Sequence, residues 1–81
     1  MRAQQCKMAR AALDLGVREL AEQAKVSPDT VARFERGEVL KERTIEAIRT
    51  ALEKAGVEFL DENGGGPGVR FRKRQRAKKT K

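Results

Sequence analysis

Residues 17–37 read VRELAEQAKVSPDTVARFERG, and they carry the most specific structural pattern in the chain. Its first half places Leu20, Ala21 and Ala24 at the spacing that gathers apolar side chains on one side of a short helix. Its second half opens with Ser27-Pro28. A serine side chain accepts from backbone N–H groups that a first helical turn leaves free, and proline at the first helical position has no N–H to lose. Val31 and Phe34 then face the first segment, and Gly37 supplies a stop. Ala21 is small where the two segments would cross. The reading is of two short helices held together by Leu20, Val26, Val31 and Phe34, the second running over about residues 28–36 with an exposed start.

On the N-terminal side of this segment, Cys6, Ala9 and Leu13 form a helical stripe, widened by Met8 and Ala12 and broken at Gly16. On the other side, Thr44 is expected to cap a further helix with the stripe Ile45, Ile48 and Leu52. Ala47, Ala51 and Ala55 support that stripe, and Gly56 closes it. The period then changes from 3.6 to 2: apolar and charged residues alternate over residues 57–59 and 69–72, as in half-buried strands. Residues 61–68, DENGGGPG, are a dense turn signal between them. The expected fold is mainly α: four to five helices over residues 1–56, a small β-hairpin over 57–72, and a basic tail over 73–81 that is disordered without a partner.

At 81 residues the chain makes one small domain with a thin margin of stability. Cys6 is its single cysteine and it has no histidine, which excludes an internal disulfide and a structural zinc site and leaves self-association as the usual reinforcement. Residues 1–10 lack the apolar stretch of a secretory signal and no apolar run approaches the ~20 residues of a membrane span, so a cytoplasmic, nucleoid-associated protein is expected. The net charge of +7 is unevenly placed. Residues 70–81 hold eight Lys or Arg and no acid, and the remainder is almost neutral, an arrangement suited to a polyanionic partner. Catalysis is not expected. Without histidine there is no acid–base triad, and no Gly-Lys-Ser/Thr follows the glycine run to cradle a phosphate. No cofactor or metal is called for. RNA binding stays open as a weaker option, because without Trp and Tyr the exposed aromatic platforms typical of single-strand binders are absent.

Residues 17–37 resemble the helix-turn-helix of Cro/CI-type (phage repressor-like, XRE) transcriptional regulators. The resemblance extends over roughly residues 6–52 and is carried by Leu20-Ala21, Val26-Ser27, the Val31-to-Phe34 spacing and Glu35-Arg36-Gly37. It implies a sequence-specific regulator that binds double-stranded DNA half-sites as a homodimer through the helix at about 28–36. It also implies base reading by Pro28, Asp29, Thr30 and Arg33, with Arg33 suited to the O6 and N7 acceptors of guanine. Asp29 equally suits a partner of the helix dipole. Arg18, Lys25, Arg36, Lys41 and Arg43 are implied as phosphate contacts, and Arg10 and Glu35 as a structural ion pair. Cys6 reads as a small core residue.

Two positions depart from that pattern. Lys25 stands in the turn where glycine is common, at a cost of about 1 kcal/mol in backbone strain. Val17 stands where a glutamine often reaches a phosphate, leaving a helix N-terminal N–H for that contact. The hairpin residues Val57, Phe59, Leu60, Val69 and Phe71 need cover, and pairing with a second chain would supply it; the rival arrangement is a hairpin folded back on its own helices, leaving a helix such as that over residues 45–55 to dimerise. An antitoxin or anti-activator acting mainly on another protein is the alternative function, and RNA polymerase or another small protein stays open as a further partner.

Overall fold

The computed structural model describes residues 1–60 and 65–72. Four helices, α1 (Ala3–Leu13), α2 (Val17–Ala24), α3 (Pro28–Glu35) and α4 (Glu42–Ala55), precede strands β1 (Val57–Leu60) and β2 (Gly68–Phe71). The mainly helical fold with a terminal hairpin is therefore as expected, with four helices among the described residues; the basic tail of residues 73–81 lies outside them.

Three of the helices stop in the same way. After α1, α2 and α3 the chain takes one left-handed residue, Asp14 (φ 59°), Lys25 (φ 62°) and Gly37 (φ 98°). The following N–H then reaches back five residues: Leu15 to Arg10 O, Val26 to Ala21 O, Glu38 to Arg33 O. This closure satisfies carbonyls that the last turn leaves free. Leu15 and Val26 pack against the core after the first two closures, whereas Glu38 is exposed. The strain foreseen at Lys25 is thus present, and Asp14 bears a second instance that spacing does not announce.

The core comprises Cys6, Ala9, Leu20, Ala21, Ala24, Val31, Phe34, Ile48, Ala51, Leu52 and Val57. Its alanines let short helices approach closely, and Val26, Leu40 and Ile45 pack at its margin. Several expectations are corrected. Met8, Ala12 and Ala55 are exposed, and Gln5 rather than Met8 completes the inner face of α1. Thr44 is not the cap of α4, because the chain is already helical at Glu42 with Lys41 as the preceding residue. Leu40 anchors the connection at the core margin, and Glu42 puts a carboxylate in the first turn, where the helix dipole favours it.

The strands pair antiparallel, with Val57 opposite Phe71 and Phe59 opposite Val69. These four share one face, and the hairpin lays it back on α1 and α4. Val57 is fully buried, Phe59 and Val69 pack against the core, and Phe71 keeps 44% of its surface exposed. Val57, expected at a subunit interface, is therefore enclosed by its own chain. Gln5 fastens the hairpin to α1: its side-chain amide donates to Leu60 O (3.1 Å) and Gly68 O (3.0 Å) and accepts from the Arg2 N–H (2.7 Å). Arg49 stacks over the Phe59 ring at 5.5 Å, and the Arg72 N–H donates to Gly56 O (2.9 Å), extending the strand ladder past Phe71.

Candidate nucleic-acid interface

Helix α3 starts on the expected cap. The Ser27 hydroxyl accepts from the Thr30 N–H (3.1 Å) and shares a hydrogen bond with the Thr30 hydroxyl (2.8 Å). Thr30 therefore keeps only part of its bonding capacity for a partner. Val31, Phe34 and Glu35 point inward, leaving Pro28, Asp29, Thr30 and Arg33 on the solvent side. The four residues expected to read bases thus occupy one accessible side of one helix.

Arg33 is not idle there. Its Nε donates to Glu38 Oε1 at 3.0 Å, while Asp29 Oδ2 lies 3.9 Å from Nη1, one helical turn earlier. Arg36 Nη2 reaches the other Glu38 oxygen at 3.3 Å. The Glu38 hydrogen bond raises the Arg33 pKa, and the two arginines hold the Glu38 carboxyl below the usual carboxylate range. Glu38, which sequence reading misses, joins the exposed cluster around Arg33. Its one signal is its place directly after a glycine stop, a position that the closure described above returns toward Arg33.

On the other side of α3, Arg10 and Glu35 form the expected pair. It is two-pronged, with Nε to Oε2 at 2.7 Å and Nη2 to Oε1 at 2.8 Å, and Arg10 Nη1 also donates to Leu15 O (3.1 Å). The Cys6 thiol donates to Glu35 Oε2 (3.1 Å). Burial pushes that thiol well up, and the Glu35 carboxylate adds to the shift, so Cys6 stays protonated. Burial alone would raise the Glu35 carboxyl, but the Arg10 and Cys6 hydrogen bonds and the Arg10 charge outweigh it and hold it low. No buried side-chain nitrogen or oxygen among the described residues lacks a partner.

The basic residues Arg18, Lys25, Arg36, Lys41 and Arg43 are all exposed, at the start of α2, in the turn before α3, and at the α3–α4 connection. They flank α3 along the chain, and Arg36 is engaged with Glu38. At the start of α2 the Gly16 N–H is already bonded to Glu19 Oε1 (2.7 Å), so this N–H is not spare for a phosphate.

Two short helices joined by a tight turn, the second capped and exposed, are the geometry of a DNA-reading pair. A family model described as a helix-turn-helix domain matches residues 3–59, well over half of the chain. The chain belongs to the helix-turn-helix domain family. That membership is consistent with the Cro/CI-type resemblance, and it makes the protein a DNA-binding regulator. No curated protein matches the chain. Among the described residues of this helix-turn-helix protein, no helix is long and apolar enough to cross a membrane.

Proposed function

We propose that the protein is a sequence-specific transcriptional regulator that binds operator half-sites as a homodimer, with α3 in the major groove. The observation that carries this reading is the division of α3 into a buried side (Val31, Phe34, Glu35) and an accessible side (Pro28, Asp29, Thr30, Arg33) behind a Ser27 cap. In it, Arg33 makes the bidentate guanine contact, Asp29 and Thr30 contact neighbouring base edges, and Pro28 contributes shape. Arg18, Lys25, Arg36, Lys41 and Arg43 contact phosphates and fix the register without reading sequence.

The test is Arg33→Ala on single-base variants of the tightest duplex selected from a randomised library. Discrimination at one position should fall by about 1–3 kcal/mol, whereas Arg43→Ala should weaken all duplexes alike. Intact discrimination at every position would refute the assignment.

A single such domain spans few base pairs, so two copies on half-sites ~34 Å apart supply the needed selectivity. Since Val57 is enclosed, the hairpin's contribution to a dimer rests on the surface left at Leu60, Val69 and Phe71, with Phe59 as a packed support. Phe71→Lys should abolish dimers in sedimentation equilibrium while leaving helix content intact; persistence of the dimer would place the interface elsewhere.

A further inference from the structure

We infer that Glu38 is a positioning residue for base readout: its carboxylate holds Arg33 side-on, so that the end-on edge of the guanidinium is presented to guanine. The inference rests on the reading of Arg33 as the base contact. A guanidinium has two kinds of hydrogen-bonding edge, one formed by Nε with an Nη and one by the two Nη groups. Glu38 Oε1 occupies Nε at 3.0 Å. The edge formed by both Nη groups stays available for the O6 and N7 acceptors of guanine. Asp29 Oδ2 at 3.9 Å steadies Nη1 without making a full hydrogen bond.

The backbone makes the arrangement repeatable. Gly37 at φ 98° turns the chain back, its N–H bonds Phe34 O (3.0 Å), and the Glu38 N–H bonds Arg33 O (3.1 Å). Donor and acceptor of the side-chain pair are thus already tied through their main chains, and little further freedom is lost when the side chains meet. Arg36 on the second Glu38 oxygen limits rotation of the carboxylate. An arginine ordered before DNA arrives has less entropy to lose on binding.

The same carboxylate repels phosphates. Glu38 therefore has two effects of opposite sign: it lowers affinity for any duplex and raises the preference for the right one. That signature separates positioning from the simpler roles.

The experiment measures Kd for the selected duplex, for its single-base variants and for an unrelated duplex, using wild type, Glu38→Ala, Arg33→Ala and the double variant. Thermal melts confirm that each is folded. In Glu38→Ala, discrimination at the Arg33 position should fall by about two- to tenfold, while the unrelated duplex binds more tightly. In the Arg33→Ala background, Glu38→Ala should change discrimination no further. Unchanged discrimination with uniformly tighter binding would overturn the inference and leave Glu38 as a competing charge. Affinities that fall in proportion for all duplexes would overturn it in favour of a purely structural role. If Arg33→Ala alone left discrimination intact, the base-contact reading would fail first, visibly, and this inference with it.

Discussion

Helix α3 takes part in two arginine–glutamate pairs, and they differ in almost every respect except composition. Glu35 meets Arg10 inside the protein, two-pronged, with the side chains only 9% and 22% exposed. Arg33 meets Glu38 outside it, through one short contact, with 42% and 45% exposed. Water and salt screen the outer pair, so it adds little to stability. The inner pair has lost most of its water, and its members depend on each other and on Cys6 and Leu15 O for satisfaction. One helix therefore uses the same chemistry twice, once to lock α1 against α3 and once to ready a side chain for exchange with a partner.

Removing one member of the inner pair should give the largest effect. Glu35→Ala leaves the Arg10 guanidinium partly buried without its acceptor, and the cost should be about 2–3 kcal/mol, at the low end for buried pairs because Arg10 keeps some water. For a domain of this size that lowers Tm by roughly 10–20 °C, while discrimination by the folded fraction stays intact. The pH dependence carries the same signature. The Glu35 carboxyl sits below its ordinary value of 4.5 in the fold, so its contribution is fully present above that pH. The contribution is lost as pH falls through the lower folded value. The stability gap between wild type and Glu35→Gln, from urea midpoints, should accordingly narrow below pH 4.5. A gap independent of pH would remove the electrostatic account of this pair.

Gln5 sharpens the contrast from the neutral side. It is buried without charge, yet it joins α1 to carbonyls 55 and 63 residues away. Gln5→Leu should cost about 1–2 kcal/mol, because Leu60 O and Gly68 O lose a donor. Hydrogen exchange should report the loss first in the hairpin amides. Uniform loss of protection would mean that the hairpin and helices open as one unit.

What can be read from sequence is local. Ser27-Pro28, the Val31-to-Phe34 spacing and Gly37 mark α3 because capping and periodicity act within one or two turns. Arg10 and Glu35, in contrast, are legible only through the resemblance, since 25 residues separate them. Gln5 cannot be ranked above Met8 or Ala12 by any pattern within α1. The inward face is set by the strand carbonyls that await it, and hydrophobicity misplaces it by favouring Met8. Thr44 looks like a cap by residue type alone. Leu40, anchored at the core margin, fixes where the chain can turn into α4, and the helix is under way at Glu42 before Thr44 is reached.

A smaller effect is expected where the outer pair is framed. Gly37 has open space around a would-be Cβ, so Gly37→Ala meets no clash and its cost is backbone strain alone, about 1 kcal/mol. The stability loss should stay below that of Glu35→Ala, but discrimination at the Arg33 position should fall, because the turn that returns Glu38 to Arg33 is disturbed. Equal discrimination in Gly37→Ala and wild type would show that the outer pair forms without this turn.

The smallest expected change is a gain, at the other turn flanking α3. Lys25 takes the left-handed conformation too, at φ 62°, but carries a side chain there. Lys25→Gly relieves the strain of a Cβ in that region and gives back part of the benefit, because glycine has more freedom to lose on folding. The net should be a stabilisation of about 0.5 kcal/mol, seen as a higher urea midpoint with an unchanged m value. The substitution also removes a cation proposed to touch a phosphate. If that contact is made, the slope of log Kd against log salt should flatten by about 0.9 per site, and sequence preference should not change. Lys25→Asn separates the two effects, since asparagine tolerates the left-handed region yet is uncharged. The asparagine variant should match glycine in salt slope and fall between lysine and glycine in stability. A glycine variant less stable than wild type would mean that the lysine side chain contributes more to the fold than its backbone strain removes.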